Sequence, residues 1–574
     1  MKKNILILPA AALLLTGCLA DLGGNDYDSV LPEMEITIPE TAYSTSLGST
    51  ITITPVIKTD IPESDLQYFW EAMGDRKNAE GVKDFTSLVP DEEQARELVY
   101  TGKFDDNITT LNLSYECRLR VHQISTGRDF FSAGTFTITI SGVTGLMVLY
   151  GDSNSSDVGL VQAEEFTPQA MSIPEKPSAL ASLYSANNAG NTIPGKGVEI
   201  QQITSFYFTT YLAYYPQILG PRCGHILART DQDTRWLGKD GFVELGDWNY
   251  MFYAKGEQAM NQNKPKGFKV NMIYFYGFDG DEMYSCNTLS SFPFLFSEFD
   301  ASSKFADGHS FTFEPEIIFT GGSKGYPNIM YAKSVDGNTA HKGFVGIRSA
   351  QPGYFRSYGY LLDTGDDAVA KFNTGNMNAD LVKMRRDGRQ HVMAVLKGDS
   401  GNAKYAGKLF LVDLNTTAPA LAGATTAYSG IGEYAYDLSG MQDINDAFSF
   451  EFGWTQTMCY YATKNGVYHY QHDGAGITAA APLTMTDGSS WSAGGEITMM
   501  KMLDTGRDYQ DNTPNHNPTQ PIMMVATFSS GKAALWALHL DSMSGRISKA
   551  VKYDSQVEGW AFDKPILDAS IKVQ

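Results

Sequence analysis

A mainly β fold, with a sandwich followed by radially repeated small sheets, is what this sequence predicts, and three observations predict it. Apolar and polar residues alternate at period 2 in short runs. Gly, Asn, Asp and Ser interrupt those runs at short intervals. Almost no stretch sustains a helical period. The clearest exception is "PDEEQAREL" at 90–98, where proline and acids come early and arginine late, the charge order of a short helix. With 574 residues the chain is too long for one ordinary domain and long enough to bury a large core.

At the N-terminus, Lys2 and Lys3 precede an apolar run, Ile5 to Leu15, and then Leu15-Thr16-Gly17-Cys18. That run is too short to span a bilayer, so residues 1–17 read as a signal peptide. Small residues before a cysteine are what a lipoprotein signal peptidase requires, which makes Cys18 the predicted site of lipidation. Several acyl chains, at about 0.8 kcal/mol per buried methylene, give stable membrane anchoring. Residues 18–32 include "LADLGGNDYDS", Gly- and Asp-rich and without apolar period, and read as a flexible tether. The net charge of −21 argues against nucleic acid as a partner, because so acidic a surface repels phosphate backbones. No basic amphipathic stretch suggests binding to an anionic membrane face.

Residues 33–142 are predicted to form one sandwich. "MEITIP" (34–39) and "STITITPVI" (49–57) alternate, "LQYFWEA" (66–72) places Trp70 on a central strand, and "GTFTITI" (134–140) closes the unit. In "LNLSYECRLRV", Leu111, Leu113, Tyr115, Cys117, Leu119 and Val121 share one face, the pattern of a half-buried antiparallel strand. Tyr115 lies two residues before Cys117, as in the tyrosine corner of immunoglobulin-like domains. No second cysteine lies in this segment to form an inter-sheet disulfide. Cys117, Cys223, Cys286 and Cys459 are far apart, with no Cys-x-x-Cys spacing. Two disulfides are permitted in an exported chain, and buried free thiols are the expected state.

From 143 to 574 hairpins recur. They begin at Leu146, His225, Ile329, His391, Met458 and Ile522, and a further strand, "FKVNMIYFYGF" (268–278), fills the widest gap. Repetition of small antiparallel sheets around an axis gives a β-propeller, here of about seven blades. The alternative is a chain of further β-sandwiches. Within "YYATKNGVYHYQHD" (460–473), Asn465-Gly466 predicts a type I′ turn that pairs Lys464 with Val467 and sets Tyr461 opposite Tyr470. Tyr461, Tyr468 and Tyr470 then share a face. His469 and His472, three apart on a strand, point to opposite faces and cannot chelate one metal.

No Gly-x-Ser-x-Gly occurs, and the nine histidines are scattered, so no nucleophilic triad is legible. Enzyme activity is left open, with none the favoured reading. Acidic loops with glycine could hold calcium: Asp279, Asp281 and Glu282; Asp363, Asp366 and Asp367; and Asp504, Asp508 and Asp511. None has the full EF-hand spacing, and no cofactor is expected. Aromatic residues beside polar loops offer a better ligand site. They are Trp236 with Arg235, Trp248 with Tyr250, and Tyr354 and Tyr358 with Arg356, able to stack on sugar rings or pair with a carboxylate.

Taken in order, the lipobox, the tether "GGNDYDS", the sandwich with "LQYFWEA" and "LSYECRLRV", and the hairpin "GLMVLYGDSNSSDVGLV" resemble the PKD-like family lipoproteins of Bacteroidota. The resemblance covers residues 1 to about 165, and the remainder in architecture only. It implies a PKD-like sandwich at 33–142. It also implies a place beside SusC-like TonB-dependent transporters and SusD-like binding lipoproteins at the outer membrane. In such lipoproteins acids after the lipidated cysteine, here Asp21, Asp26 and Asp28, resemble a surface-export signal. The implied function is accessory nutrient capture or scaffolding, for glycans or oligopeptides, on the extracellular side. A surface hydrolase or lyase with its site in the propeller funnel, and a purely structural interaction protein, are the alternatives. The resemblance implies no catalytic residues.

Overall fold

A computed structural model describes residues 33–572 except 47–49, 75–81, 103–113, 168–172, 208–221, 240, 249–264, 271–273, 280–281, 288–296, 299–310, 319–327, 335–341, 349–357, 362–371, 388–390, 416–430, 454–456, 473–475 and 504–520. It is mainly β. The one α-helix among the described residues is the short Leu183–Asn187. The chain divides into two compact units. The first takes residues up to Thr45, Thr50–Thr101 and Ser114–Thr139, and the second takes the rest. Cys18 and its tether lie outside the described residues.

In the first unit, the strands Leu66–Met73 and Ser114–Gln123 are central in a six-stranded sheet. Their antiparallel register sets Trp70 against Leu119 and Ala72 against Cys117. Tyr115, Cys117, Leu119 and Val121 are buried, as the alternation requires. On the other face Arg118 and Arg120 both donate from Nε to the Glu71 carboxylate, at 2.7 and 2.8 Å. Trp70 is fully buried, packs edge-on against Phe136, and donates from its indole nitrogen to the Ala95 carbonyl at 2.8 Å. Its polar group is therefore satisfied in the core. Burial pushes the free Cys117 thiol up to about 12.

The helix expected at 90–98 is instead a three-residue 3-10 turn, Asp91–Glu93, and Leu98 already opens the strand Leu98–Thr101. Gln94 supplies the reason. Its side-chain oxygen accepts the Trp70 backbone N–H at 2.9 Å, and its nitrogen donates to Ser87 Oγ and the Val89 carbonyl. Gln94 has extended backbone, and a helix there would withdraw both its amide and the Ala95 carbonyl from Trp70. Tertiary hydrogen bonds to a buried strand outweigh local helix preference.

The second unit contains seven antiparallel sheets among its described residues. Six use four consecutive strands each, and they open with Gly197–Tyr207, Pro265–Val270, Phe311–Ile318, Ala379–Arg386, Ser449–Phe452 and Glu496–Met502. The seventh joins the two ends of the unit. In it Gly145–Gly151 pairs with Ser155–Gln162 on one side and with the C-terminal strand Ile566–Lys572 on the other, Val148 lying opposite Ala569. Those six opening strands and Ile566–Lys572 are each the edge of their sheet, and are called the first strands below.

The predicted hairpins are the middle strands of these sheets. The one at His391, for example, is Val392–Gly398 paired with Leu409–Asn415. Middle strands have neighbours on both sides and apolar contacts on both faces, which gives them the densest apolar runs. Residues 268–278 are not one strand; they span the end of Pro265–Val270 and most of Tyr274–Asp279. Hydrophobic clusters bridge neighbouring sheets. One joins Met393, Val395 and Leu411 to Phe450, Tyr461 and Tyr470. The sheet that holds the C-terminus packs on two others, through Met147 and Leu149 with Ile200 and Ile226, and through Val148 and Ile566 with Met524 and Leu535. At Gly159 a Cβ would fall 2.4 Å from the Phe562 ring, so this strand accepts no side chain there.

The hairpin at 458–471 keeps its tyrosine face but not its predicted register. Tyr461 lies opposite Tyr468, and Tyr470 opposite Cys459, two residues away from the pairing that an Asn465-Gly466 type I′ turn would give, an even shift that leaves each side chain on its face. Thr463 causes the shift. Its hydroxyl accepts the N–H groups of Asn465 and Gly466, and its own N–H donates to the Gly466 carbonyl at 2.9 Å. A hydroxyl turn thus replaces the tight two-residue loop. Positive φ at two successive central residues occurs instead at Ser530 (52°) and Gly531 (74°), in the hairpin that pairs Ser529 with Lys532. The buried thiol Cys459 lies on the tyrosine face, and the side chains of Cys223 and Cys286 lie outside the described residues.

Truncation before Ile566 tests the joining of the two ends. It would leave the Gly145–Gly151 edge unpaired and uncover Leu146 and Val148, creating an aggregation-prone edge. The expected result is loss of cooperative unfolding or of soluble protein; a truncated chain melting at the full-length midpoint would contradict it.

Candidate functional site

All seven first strands line one cavity of about 410 Å3. As edge strands they leave one side of their backbone unpaired by their own sheet, and natural edges are commonly managed with charges and bulges. Both occur here. The register shifts at Val198, Lys266, Val382 and Thr498, and between Phe313 and Ile317 around Pro315. Every one of these five residues lines the cavity. A bulge inserts an unpaired residue and bends the strand, which re-aims the side chains beside it.

The charges come from all seven first strands. Glu199 meets Lys269 at 3.1 Å, and Lys269 reaches Glu316 at 3.8 Å. Glu316 accepts from Lys383 at 2.9 Å, and Arg385, on the same strand as Lys383, pairs with Glu451. Ser449 Oγ donates to the Met500 carbonyl at 2.8 Å and carries the series to the strand of Lys501. Lys501 meets Asp568 at 2.8 Å, and Asp568 accepts the Ile200 backbone N–H at 2.8 Å. These contacts begin and end on Gly197–Tyr207. Arg229, from a second strand, adds a cation 3.5 Å from Glu199.

Electrostatics keeps the acids ionised. Burial alone would raise Glu199, but attraction to Lys269 and Arg229 overrides it and holds the carboxyl below the ordinary range. Glu316 behaves alike: burial opposes its charge, Lys269 and Lys383 more than compensate, and its pKa falls to about 2. Lys269 is held above the ordinary lysine value, because Glu199 and Glu316 outweigh the desolvation that would lower it. These acids are poor proton donors near neutrality. A glycoside hydrolase needs a carboxylic acid with a raised pKa opposite a second carboxylate, and Glu199 and Glu316 are pushed the other way.

The aromatic residues expected to bind ligand do not gather here. Trp236 is fully buried with its ring near His225, and Trp248 is buried as well. Arg235 bonds Asp233 at 2.5 Å and lies 3.4 Å from Glu244. None of the three lines the cavity, and the two tryptophans pack in the core. Tyr250, Tyr354 and Arg356 lie outside the described residues, as does the side chain of Tyr358 in the strand Tyr358–Leu361. Of the acidic loops considered for calcium, Asp279 and Glu282 face each other across a hairpin end. The other residues of those loops lie outside the described residues. Elsewhere, His122 meets Asp129 at 2.8 Å, and His539 lies 3.4 Å from a Glu165 that also binds Lys549 and Tyr553.

The charged cavity leaves only a faint trace in the sequence. Its signal is a charge in a short apolar run, as in "GVEIQ", "GFKV", "SFEF", "MMKM" and "ILDAS". Such residues look like ordinary solvent-facing positions of an alternating strand until their strands are brought together.

No family model matches the chain, and no curated protein matches it. Among solved structures there is a match to the N-terminal eight Ig domains of Down syndrome cell adhesion molecule, isoform 1.30.30. It has 9% identity and a TM-score of 0.14 over 79% of this chain. The chain spans about half of that one, 54% of its length. A likeness of that size carries no argument.

The ion pairs give a pH profile with a definite sign. Glu199 and Glu316 are depressed, so their contribution is present above the ordinary carboxylate value of about 4.3 and is lost as pH falls through their folded values. Lys269 is raised, so its contribution is present below about 10.4 and is lost as pH rises through its folded value. Thermal midpoints should fall on the acid side, and Glu316→Gln should flatten that limb. The same variant should cost about 3–5 kcal/mol at neutral pH by leaving Lys269 and Lys383 under-paired. An acid limb identical in wild type and variant would refute the assignment.

Proposed function

We propose that the second unit is a seven-bladed β-propeller and that the chain is a surface-anchored outer-membrane lipoprotein, held through Cys18. Its role on this reading is accessory capture or scaffolding beside a SusC-like transporter and a SusD-like lipoprotein, with the first unit as the PKD-like, immunoglobulin-like sandwich. Supporting the propeller are seven consecutive sheets, a C-terminal strand that completes the sheet of the unit's opening strand, and polar contacts that return to the strand where they start. A terminal strand that completes the first sheet is how a radial array removes its seam.

One observation carries the choice of binding over hydrolysis. Among the described residues, every acid of the first strands that lines the cavity is already met by a cation: Glu199 by Lys269, Glu316 by Lys383, Glu451 by Arg385 and Asp568 by Lys501. That arrangement suits a rigid recognition body and gives no general acid for a hydrolase or lyase. Acyl chains at Cys18 would raise the effective concentration of this body near a membrane partner. Neutral-sugar stacking inside the cavity is not favoured, because among the described residues its lining holds many charged side chains and only Phe448 and Phe450 as aromatics.

Cys18→Ser should move the protein from the membrane to the soluble fraction of its host. The wild type should be cleaved by protease added to intact cells, and should co-purify from detergent-solubilised outer membrane with a TonB-dependent transporter. Full protection from protease, or purification without any such partner, would contradict the proposal.

A further inference from the structure

We propose that the cavity binds a short organic monocarboxylate, gripped by Arg229 and entered past Val198, Val382 and Phe448. The inference does not depend on where the protein is anchored, because it rests on residues of the second unit alone.

Arg229 is the cation with spare capacity. Its guanidinium offers five N–H donors in a fork that fits a carboxylate. Only Nη2 is engaged, with Glu199 at 3.5 Å, the outer limit of a hydrogen bond. Its Nη1 makes no hydrogen bond and is not sealed off, so the Nη1–Nη2 edge is the one a carboxylate can reach, while the Nε is buried beyond a ligand's reach. By contrast Lys383 and Lys501 reach acids at 2.9 and 2.8 Å.

The charge balance points the same way. Among the described residues lining the cavity, the cations are Arg229, Lys266, Lys269, Lys383, Arg385 and Lys501, against Glu199, Glu316, Glu451 and Asp568. With all of them ionised, cations outnumber acids, so an entering anion is favoured over a cation or a zwitterion. Three exposed apolar side chains also belong to the lining: Val198 at 41%, Val382 at 42% and Phe448 at 46%. Val198 precedes Glu199 on the bulged strand that pairs Glu199 with Arg229, so apolar surface lies beside the cationic group. A charged head with a short apolar tail matches both features, and the cavity volume of about 410 Å3 suits a small molecule.

Calorimetric titration of the intact chain with hexanoate tests this, with hexanol and hexylamine as the neutral and cationic matches. Hexanoate should bind and the other two should not. Arg229→Met should weaken hexanoate by about tenfold or more, through loss of the charge-assisted fork. Should that variant fail to fold, Val382→Asp, a change at an exposed position, is expected to weaken hexanoate by placing an acid in its path. Absence of hexanoate binding, equal binding of hexylamine, or hexanoate affinity unchanged in a folded Arg229→Met or Val382→Asp chain would overturn the proposal.

Discussion

Seven edge strands face one cavity, and the second unit depends on how those edges are joined. An edge strand leaves backbone N–H and C=O groups without partners from its own sheet. Here the joining is done by side chains. Lys269 links Glu199 to Glu316, Lys383 and Arg385 hold the acids of the strands on either side, and Lys501 binds Asp568 of the C-terminal strand. Apolar clusters between neighbouring sheets supply the bulk of the burial. That burial is non-directional, whereas ion pairs also constrain which strand follows which.

The number seven imposes a constraint of its own. In chain order the first strands contribute Glu199, Lys269, Glu316, Lys383 with Arg385, Glu451, Lys501 and Asp568, so the sign alternates along the series. An odd series that returns to its start must place two like charges side by side once. The repeat falls between Asp568 and Glu199, where the C-terminal strand meets Gly197–Tyr207. The Ile200 N–H bonds Asp568 there, and Arg229 adds its charge beside Glu199. Arg229 thus has an electrostatic reason to be where it is, and its unused Nη1 is what remains once that demand is met.

What could be read in the sequence follows from where each strand sits. The middle hairpins were legible because strands such as Val392–Gly398 are buried almost throughout. The first strands were not, because Glu199, Lys383 and Lys501 interrupt the apolar run and bulges at Val198, Val382 and Thr498 break the period of two. Where side chains captured backbone groups, local signals misled. Gln94 replaced an expected helix with a short turn, and Thr463 moved a hairpin pairing by two residues. The aromatic ligand site failed for a related reason. Trp236 and Trp248 stand near polar residues in sequence, but the fold uses them as core. The cavity needed seven distant segments brought together, and no local pattern encodes that meeting.

Ion pairs between first strands, such as Lys501 with Asp568, help hold the second unit together. A double-mutant cycle on Lys501 and Asp568 tests it most directly, using Lys501→Met, Asp568→Asn and the pair, with stability read from denaturant unfolding. Because the two groups are 2.8 Å apart and partly buried, their coupling energy should fall within about 0.5–3 kcal/mol, so that the double variant loses less than the two single losses combined. Losses that add to within about 0.3–0.5 kcal/mol would show that the pair does not couple the two strands.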